Sequence, residues 1–322
     1  MMPADGSSRQ TVVITGAFSY TGKYATRLLR GRGYKIRTLT FHPSRENEFG
    51  RQVEVFPYNF DFPEKLIQSL CGASTLINTF WVRFPHGKLT FDAAVRNTTT
   101  LIDAAKRAGI ERIVHVSIAQ PSLTSPLGYY RGKAQVEQVV VNSGLSYSIL
   151  RPTVIFGSED ILINNIAWFV RRFPVFGIPG DGRYRVRPIF VEDMAKLIVD
   201  AVKSTANEVV DAVGPESFTF EELVEKLAVA LGRSPRLVHV PIPAAYAATR
   251  LIGWFVGDVI LTWEEYKGLM GGLLAPEGPS AGETRLTHWL ADNRRSIGRT
   301  YASELARHYV QKPTRSQFRR DE

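Results

Sequence analysis

Tyr129 and Lys133 are the pair of residues in this chain whose types and spacing best suit proton transfer. They lie four residues apart in the stretch GYYRGKAQVEQVV, and this spacing places both side chains on one face of a helix. A lysine ammonium beside a phenol stabilises the phenolate, so it lowers a tyrosine pKa that is ordinarily about 10. The pair predicts an acid/base centre for a carbonyl or an alcohol, with Tyr129 exchanging the proton.

The stretch VVITGAFSYTG predicts a strand that turns into a helix around a phosphate. Gly16 allows the tight turn that leaves the strand, and Gly22 allows the helix to pack against it. Ser19 stands where a further glycine is usual, and its hydroxyl can donate to a phosphate oxygen beside the free amides of the first helical turn. The loop residues that we expect to contact a dinucleotide are Gly16, Phe18, Ser19, Tyr20, Thr21 and Gly22.

The phosphate-binding loop of nucleoside triphosphatases is the competing interpretation of these glycines. That motif needs about four residues between its glycines and a Ser or Thr after its lysine. Here five residues separate Gly16 from Gly22, and Tyr24 follows Lys23. The sequence therefore favours a dinucleotide.

The end of the second predicted strand lacks the acidic residue that binds the ribose 2′-hydroxyl of NAD in dinucleotide-binding folds. His42, Ser44 and Arg45 stand there instead, and the serine and the arginine can pair with a 2′-phosphate. We therefore expect NADP in preference to NAD. A solvated loop charge is the alternative interpretation of Arg45.

Apolar runs of strand length alternate with helix-period segments through the first half of the chain. The runs are TVVIT, YKIRTLT, VEVF, STLINTF, RIVHVS and YSILRPTVIF. The alternation predicts an α/β fold, a doubly wound parallel sheet of the Rossmann type with a smaller, mainly helical C-terminal lobe. The helix that carries Tyr129 follows the fifth strand, so it begins at the carboxyl edge of the sheet, where ligands bind.

The regular alternation ends near residue 157. We expect residues 1–157 to form the nucleotide-binding domain, with a helix and a strand in 188–215 returning to it. Residues 158–187 and 216–322 are expected to form the lobe that caps the substrate. Both chain ends are polar and non-periodic, and we interpret them as loose.

The most apolar stretch, PAAYAATRLIGWFVGDVILTW, is interrupted by Arg250 and Asp258, which disfavours a membrane-spanning helix. We expect a helix that packs on the core of the second lobe. A membrane-surface or quinone-contacting helix is the alternative.

Composition limits the class of protein. The formal net charge is +9, but the basic residues are spread along the chain without the stacked aromatic array of a nucleic-acid binder, so a phosphate-bearing ligand explains the charge better. The single cysteine, Cys71, allows no disulfide framework, and the six histidines lack metal-ligand spacing. Without a recognisable secretory signal, these features predict a cytoplasmic protein with no metal.

In order and spacing, the motifs resemble the extended or atypical short-chain dehydrogenase/reductase group, often called the NAD-dependent epimerase/dehydratase family. The resemblance rests on TGAFSYTG, NFD after the third strand, Asn97, VHVS ending at Ser117, YYRGK and LRPTVIFG. It is nearest the branch that resembles the nucleotide-binding accessory subunit of respiratory complex I, some of whose members bind NADPH tightly without evident turnover.

The resemblance implies further site residues. Asn59 and Phe60 would lie by the adenine, Thr79 and Phe80 along the cofactor, Asn97 in the long helix, Lys133 on the nicotinamide ribose, and Pro152 and Thr153 beside the nicotinamide. Ser117 would join Tyr129 and Lys133 as a catalytic residue. Family members often pair through their long helices, which implies a homodimer.

One departure from the family pattern concerns turnover. Ala119 occupies the position of the Ser or Thr that orients the substrate oxygen beside the tyrosine. Ser117, Ser122 and Thr124 are the hydroxyls that could replace it, although each is also explained as a loop or strand-end residue.

A second departure concerns the substrate. Val186 stands where related nucleotide-sugar epimerases have a phosphate-binding arginine. Arg183, Arg185 and Arg187 are one residue out of phase, and on a strand that shift turns a side chain to the other face. A nucleotide sugar is therefore disfavoured, and we expect the three arginines to form a solvated face.

Two hypotheses follow. The first is an NAD(P)-dependent oxidoreductase or epimerase-like enzyme that acts on a partly apolar, small-molecule carbonyl or alcohol in a pocket walled by Phe80, Trp81 and the second lobe. The second is a redox-silent NADPH-binding scaffold or sensor, which Ala119 favours.

Overall fold

The computed structural model of the protein describes residues 10–308; the chain ends interpreted as loose, 1–9 and 309–322, lie outside the described residues. The strands are β1 (Thr11–Thr15), β2 (Lys35–Thr40), β3 (Val53–Pro57), β4 (Thr75–Asn78), β5 (Arg112–Val116), β6 (Ser146–Pro152), β7 (Ile155–Phe156), β8 (Val175–Pro179), β9 (Arg185–Val186), β10 (Ile189–Phe190), β11 (Glu208–Ala212), β12 (Phe218–Thr219) and β13 (Arg236–Val240). The helices are α1 (Tyr20–Gly31), α2 (Pro63–Leu70), α3 (Phe91–Arg107), α4 (Gly128–Val141), α5 (Leu162–Arg172), α6 (Val191–Lys203), α7 (Phe220–Ala230), α8 (Ile242–Val256), α9 (Trp263–Met270), α10 (Leu286–Asn293) and α11 (Glu304–His308).

Seven strands form one parallel sheet in the order β11-β6-β5-β4-β1-β2-β3. Every residue of β4 and β5 is buried, as expected for strands that helices cover on both faces. The doubly wound α/β fold that the alternation predicted is confirmed. Because the strand order reverses between β1 and β4, the connections after these two strands diverge and leave a crevice at their carboxyl ends.

Helices cover both faces of the sheet. Leu29 of α1 and Ile198 of α6 belong to the apolar cluster on one face. Leu66 of α2, Leu101 of α3 and Val136 of α4 belong to the cluster on the other face. With both faces covered, the carboxyl edge is where the sheet can receive a ligand.

Gly16 and Gly22 set the junction between β1 and α1. Gly16 has a φ of +72°, a backbone conformation that residues with a side chain rarely adopt. A Cβ on Gly22 would lie 2.1 Å from the carbonyl oxygen of Gly16, so only glycine fits there without movement of the backbone. The helix can therefore begin directly against the end of the strand, as the sequence predicted.

The second lobe has its own apolar core, which includes Phe156, Ile163, Leu223 and Trp289. Three two-stranded sheets, β7 with β10, β8 with β13 and β9 with β12, accompany its helices. The Thr219 side chain and Glu222 form the capping box at the start of α7. The run YSILRPTVIF, expected as one strand, divides into β6 and β7 after Pro152.

The expectation that the most apolar stretch packs on the core of the second lobe is wrong for α8. Only Ala245 and Gly253 of this helix are buried, whereas Leu251, Trp254 and Phe255 are 58%, 76% and 73% exposed. Within residues 10–308, none of the helices combines the length and the apolar character that crossing a membrane requires. An apolar composition indicates that contact with water is unfavourable for a segment, but it does not indicate which surface covers that segment.

Gly22→Ala is expected to destabilise the protein because its methyl group would overlap the Gly16 carbonyl. Overpacking of this kind costs about 1–3 kcal/mol, sometimes more. Urea denaturation measures the change in the free energy of unfolding. Gly31→Ala, in the same helix, is the matched control: its Cβ would meet no atom within 4 Å, and alanine favours the helix by about 0.5–1 kcal/mol. Equal unfolding midpoints for the two variants would contradict the packing argument.

Candidate functional site

A cleft of about 680 Å³ lies at the carboxyl edge of the sheet, beside the crevice between β1 and β4. Both the amino-terminal domain and the end of the described chain contribute to its walls. The predicted cofactor residues that line it are Gly16, Phe18, Ser19, Tyr20, His42, Arg45, Thr79 and Phe80. Tyr129 lines the cleft as well, so the geometry brings the glycine loop and the predicted acid/base residue to one space.

The glycine loop forms the end of the cleft that fits a pyrophosphate. The Ser19 amide donates to the Gly16 carbonyl oxygen over 2.8 Å, which closes the turn before α1 begins at Tyr20. The Ser19 side chain makes no capping hydrogen bond within the described chain, so its hydroxyl is available to a ligand. The amides of the first helical turn point the same way and carry the positive end of the helix dipole. The residues present therefore fit a dinucleotide phosphate.

A buried network of hydrogen bonds fixes the strand ends beneath this loop. The hydroxyl of Thr15 donates to the amide oxygen of Asn78 over 3.1 Å and accepts from the backbone amides of Thr79 and Phe80 over 2.7 and 3.0 Å. The side-chain amide of Asn78 lies 3.1 Å from Nδ1 of His115. The sequence analysis missed this network, although a polar Asn-Thr pair that ends an apolar strand is a signal for it.

His115 is neutral in this network. Its Nδ1 accepts from the Asn78 amide, so the ring hydrogen is assigned to Nε2, which finds no partner among residues 10–308. Burial lowers the histidine pKa well below its usual range, and the nearby charge of Lys133 lowers it further. His115 therefore acts as a fixed dipole between β4 and β5 and has no charge to offer a ligand.

An aromatic wall closes the side of the cleft where the resemblance predicted the adenine. The rings of Phe41 and Tyr58 lie 4.6 Å apart, and Phe60 stacks on Tyr58 at 4.8 Å. Phe80 joins them, with its centroid 5.3 Å from that of Phe60. Phe60 thus contacts the rings of Tyr58 and Phe80, which line the cleft, but does not line the cleft itself. Asn59 is also outside the lining and has a φ of +48°.

The end of the cleft where the sequence predicted the ribose carries charges of both signs. Arg45 and His42 line it, and Arg45 donates to the Arg307 carbonyl oxygen over 3.1 Å, whereas Ser44 is exposed outside the lining. The end of β2 has no acidic residue, as predicted, but Glu46 and Glu48 from the following loop reach the cleft. The sequence analysis missed these two carboxylates because they come from a loop, whose path a strand pattern does not describe.

Lys133 is buried below the cleft and directed away from the tyrosine. Its Nζ donates to the Val116 carbonyl oxygen over 2.9 Å and lies 4.8 Å from the centre of the Trp81 ring. Burial lowers the pKa of Lys133 to about 7. The lysine is therefore only partly charged at neutral pH.

The expected lowering of the Tyr129 pKa by Lys133 is wrong for this structure. Burial raises the pKa of Tyr129 well above its usual range, and the neighbouring Tyr130 raises it further. The Trp81 ring meets the Tyr129 ring edge-on at 5.8 Å and also contacts Lys133. Loss of water around the phenol outweighs the cation because the cation is itself desolvated and bound to a carbonyl.

Ser117 and Ala119 lie between β5 and the loop that precedes α4. Ala119 is fully buried, and its amide donates to the Pro152 carbonyl oxygen over 2.9 Å. Ser117 is buried too, and its hydroxyl finds no partner in the described part of the chain. Ser122 and Thr124 bond each other at 3.0 Å on an exposed loop. Of the three hydroxyls considered in place of Ala119, only Ser117 is buried and free to bond a ligand.

Several predicted cofactor residues lie outside the cleft lining. These are Thr21, Gly22, Ser44, Asn59, Phe60, Asn97, Lys133, Pro152 and Thr153. Gly22 affects the site through its packing against the Gly16 carbonyl oxygen. Thr153 lines a second cavity, and its hydroxyl donates to the Arg187 carbonyl oxygen.

The arginines of the β9 segment only partly form a solvated face. Val186 is buried, and Arg183 and Arg185 are exposed, as their phase predicted. Arg187 instead is half-buried and donates to the carbonyl oxygens of Gly214 and Gly278 over 2.9 and 2.8 Å. The solvated-face interpretation is wrong for Arg187, because distant loops fold over it.

The second cavity, of about 550 Å³, adjoins the cleft and is mainly apolar. Its apolar lining includes Ile118, Ile155, Phe169, Phe176, Phe220 and Leu269. Five residues line both spaces, namely Tyr20, Arg83, Tyr129, Glu304 and Arg307. The shared wall therefore combines two phenols with charged groups, and Arg83 pairs both with Glu304 of this wall and with Glu265 of the second cavity.

Tyr20 in the shared wall and Asp160 in the second cavity are polar residues that the sequence did not place beside this cavity. Burial raises the pKa of Tyr20 beyond its usual range, and the Tyr20 hydroxyl has no partner among the described residues. Burial raises the pKa of Asp160 to about 6, although its carboxylate accepts from the amides of Gly157 and Ile163. Asp160 therefore serves the start of α5, while the Tyr20 hydroxyl remains available to a ligand.

Comparison with known proteins supports this assignment. Residues 16–164 match a family of NAD(P)H-binding domains. The chain is 28% identical over 256 residues to NADH dehydrogenase (ubiquinone) 1 alpha subcomplex subunit 9, mitochondrial, of Arabidopsis thaliana; the match covers 75% of this chain but only 63% of that protein. It is 27% identical over 256 residues to a ceramide reductase of Caulobacter vibrioides, covering 76% of this chain and 78% of the relative.

Among solved structures, the triphenylmethane reductase of Citrobacter sp. complexed with NADP(H) shares the fold. It superposes with a TM-score of 0.71 at 17% identity, covering 89% of this chain and 100% of that chain. The family match confirms NAD(P) as the cofactor. The preference for NADP and the individual contacts stay predictions.

Arg45→Ala is expected to weaken NADPH binding by about tenfold or more and NADH binding much less, because only NADPH carries the 2′-phosphate and bonds to charged groups contribute about 1.5–3 kcal/mol. Fluorescence titration with both coenzymes measures the ratio of the dissociation constants. Arg51→Ala, an exposed arginine outside the cleft, is the control and should leave that ratio unchanged. An equal loss for both coenzymes would show that Arg45 acts only through Arg307.

Lys133→Met is expected to change the pH dependence of stability in a defined direction. The pKa of Lys133 is about 10.5 in the unfolded chain and about 7 in the fold, so wild type loses stability as the pH falls through this window. The free energy of unfolding of the variant, relative to that of wild type, should therefore rise by about 1.4 kcal/mol for each pH unit from pH 10 down to pH 7. Below pH 7 the difference should not change further. Urea denaturation across this range measures the difference. Lys203→Met, an exposed lysine, should show no such trend, and a flat difference for Lys133→Met would refute the burial argument.

Proposed function

We propose that this chain, whose residues 16–164 match a family of NAD(P)H-binding domains, is an NADPH-dependent reductase of an apolar carbonyl compound. The observation that carries the proposal is the position of Tyr129, which lines both the cofactor cleft and the apolar cavity. A carbonyl group at that wall would meet the phenol, with the rest of the molecule among apolar side chains.

The protonation state of Tyr129 supports reduction as the direction of the reaction. Its raised pKa keeps the phenol protonated at neutral pH, so it can donate a proton to a carbonyl oxygen but is a poor base towards an alcohol. A reduced nicotinamide, when bound, supplies the hydride. The chain supplies the proton from Tyr129 Oη.

The character of the second cavity supports an apolar substrate. Its lining is mostly aliphatic and aromatic, and Val186 is buried where related epimerases have their phosphate-binding arginine. A nucleotide sugar would have to place its hydroxyls against this mainly apolar lining, where unpaired polar groups are costly to bury. The relative named ceramide reductase is consistent with an apolar substrate.

A redox-silent NADPH-binding protein is the second candidate, and Ala119 is the observation that favours it. No hydroxyl stands at the position that orients a substrate oxygen in the family, and Ala119 is fully buried against the end of β6. In that case the cleft would hold the nucleotide as a structural element. The cytoplasmic location and the pairing through long helices stay predictions under both candidates.

The deciding experiment measures NADPH binding and NADPH oxidation with the same protein. Long-chain aldehydes, ketones and quinones serve as acceptors. Tyr129→Phe should lower kcat by about 100-fold or more, the usual contribution of a positioned acid, and should leave the dissociation constant of NADPH nearly unchanged. Tyr147→Phe, on β6 outside both cavities, is the matched control.

The outcomes separate the two candidates. Activity that is lost in Tyr129→Phe but kept in Tyr147→Phe supports the reductase. Activity that does not depend on Tyr129 would remove it from the acid role. Tight NADPH binding without oxidation by any acceptor favours the redox-silent protein.

A further inference from the structure

The outer half of α8 is an unbroken apolar surface. Its exposed side chains recur at the three- and four-residue spacing that places them on one side of a helix. They are Ala244, Ala247, Ala248, Leu251, Trp254 and Phe255. The helix has one charged residue, Arg250, which is exposed beside them. A surface helix of a water-soluble domain ordinarily turns polar residues outward, so this face marks a contact surface.

The helix is held in this orientation by its carboxyl end. A Cβ on Gly253 would lie 2.6 Å from the Asp258 carbonyl oxygen, so the helix and the following turn are in close contact. Asp258 is buried, and its carboxylate accepts from the Tyr301 hydroxyl over 3.0 Å and from the amide of Glu304 over 2.9 Å. The exposed face is thus a fixed part of the lobe.

A cluster of arginines lies next to this end of α8. The Tyr301 ring that is bonded to Asp258 lies 5.5 Å from the Trp168 ring, and the Arg172 guanidinium lies 4.5 Å from the centre of that same indole. The charges of Arg299, Arg233 and Arg172 act on Arg171, and the carbonyl oxygens of the exposed Arg294 and Arg295 accept from Arg171 and Arg299. The cluster is thus linked to the carboxyl end of α8 through Trp168, Tyr301 and Asp258.

The members of this cluster repel one another and bond to backbone groups. Burial lowers the pKa of Arg171, and the charges of Arg299, Arg233 and Arg172 lower it further. Arg171 donates to the Ile297 carbonyl oxygen over 2.9 Å, and Arg172 donates to the Arg299 carbonyl oxygen over 2.7 Å. Such a group of cations would be stabilised by an anionic partner.

Exposed apolar side chains continue from the arginines. Phe173 and Val175, which follow Arg172 directly, are 48% and 49% exposed. Apolar groups interleaved with cations differ from a protein contact, whose core is depleted in charge, and match the boundary of a bilayer, where apolar groups enter and cations meet phosphates.

We propose that the second lobe docks on an anionic phospholipid surface, with the outer face of α8 in the boundary between headgroups and acyl chains and the arginine cluster on the lipid phosphates. A second copy of the chain is the less suitable occupant. A two-fold contact centred on α8 would place the arginine cluster beside the same interface in both copies, where like charges repel. The inference does not depend on the reductase activity.

The test measures binding of the full chain to phosphatidylcholine vesicles with and without phosphatidylglycerol, by flotation. Wild type should bind the anionic vesicles, and high salt should weaken the binding. The double variant Trp254→Ser with Phe255→Ser should lower the partition coefficient by about tenfold or more, because full burial of one such side chain is worth about 1.5–3 kcal/mol. Val229→Ser, which removes a 78% exposed valine from α7, should bind like wild type.

A second pair of variants tests the cations. Arg294→Ser with Arg295→Ser removes two exposed side chains and should weaken binding to anionic vesicles by about tenfold or more, at about 1 kcal/mol for each arginine. Arg51→Ser, an exposed arginine next to β3, is the matched control and should change little. NADPH affinity, measured on each variant, verifies that the fold is intact.

Three results would overturn the proposal. The first is a wild-type chain that binds neither vesicle. The second is a pair of α8 substitutions that leave binding unchanged. The third is a wild-type dimer that the same substitutions convert to monomers, since the α8 face would then be a contact between copies of the chain.

Discussion

The close approach of Gly22 to the Gly16 carbonyl oxygen is the contact on which the cofactor site depends. It allows α1 to begin directly at the end of β1, so the helix amides open onto the crevice between β1 and β4. The Thr15 and Asn78 network then holds the ends of these strands in place with buried hydrogen bonds. A binding surface made of backbone amides is only as precise as the strand that supports it, and here the support is a buried network of hydrogen bonds.

Removal of water decides the electrostatics of the candidate site. His115, Lys133 and Tyr129 are all shifted towards their neutral forms, because a charged group loses more solvation on burial than these neighbours return. The same effect favours one direction of proton transfer at the site. A phenol that keeps its proton and a lysine that is only partly charged favour proton donation to a substrate, and they favour it most for a molecule that brings no charge of its own into the apolar cavity.

The sequence predicted the features that depend on local pattern. Strand and helix periods gave the order of elements and the doubly wound sheet, and the spacing of Gly16, Ser19 and Gly22 gave the loop that lines the cleft. Contacts between distant segments were beyond that reasoning. Trp81 reaches both Tyr129 and Lys133, and Glu304 reaches Arg83, through the fold and not through any spacing. The exposure of α8 was not predicted for a related reason. Hydropathy measures how unfavourable contact with water is for a segment, and several different surfaces can remove a segment from water.

Arg307, near the far end of the described chain, contacts the loop that follows β2. Arg307 lines the cleft, and its carbonyl oxygen accepts from Arg45, 262 positions earlier in the chain. During synthesis the amino-terminal half leaves the ribosome first, and domains tend to fold as they emerge. The glycine loop can therefore form long before the cleft beside it has its last wall.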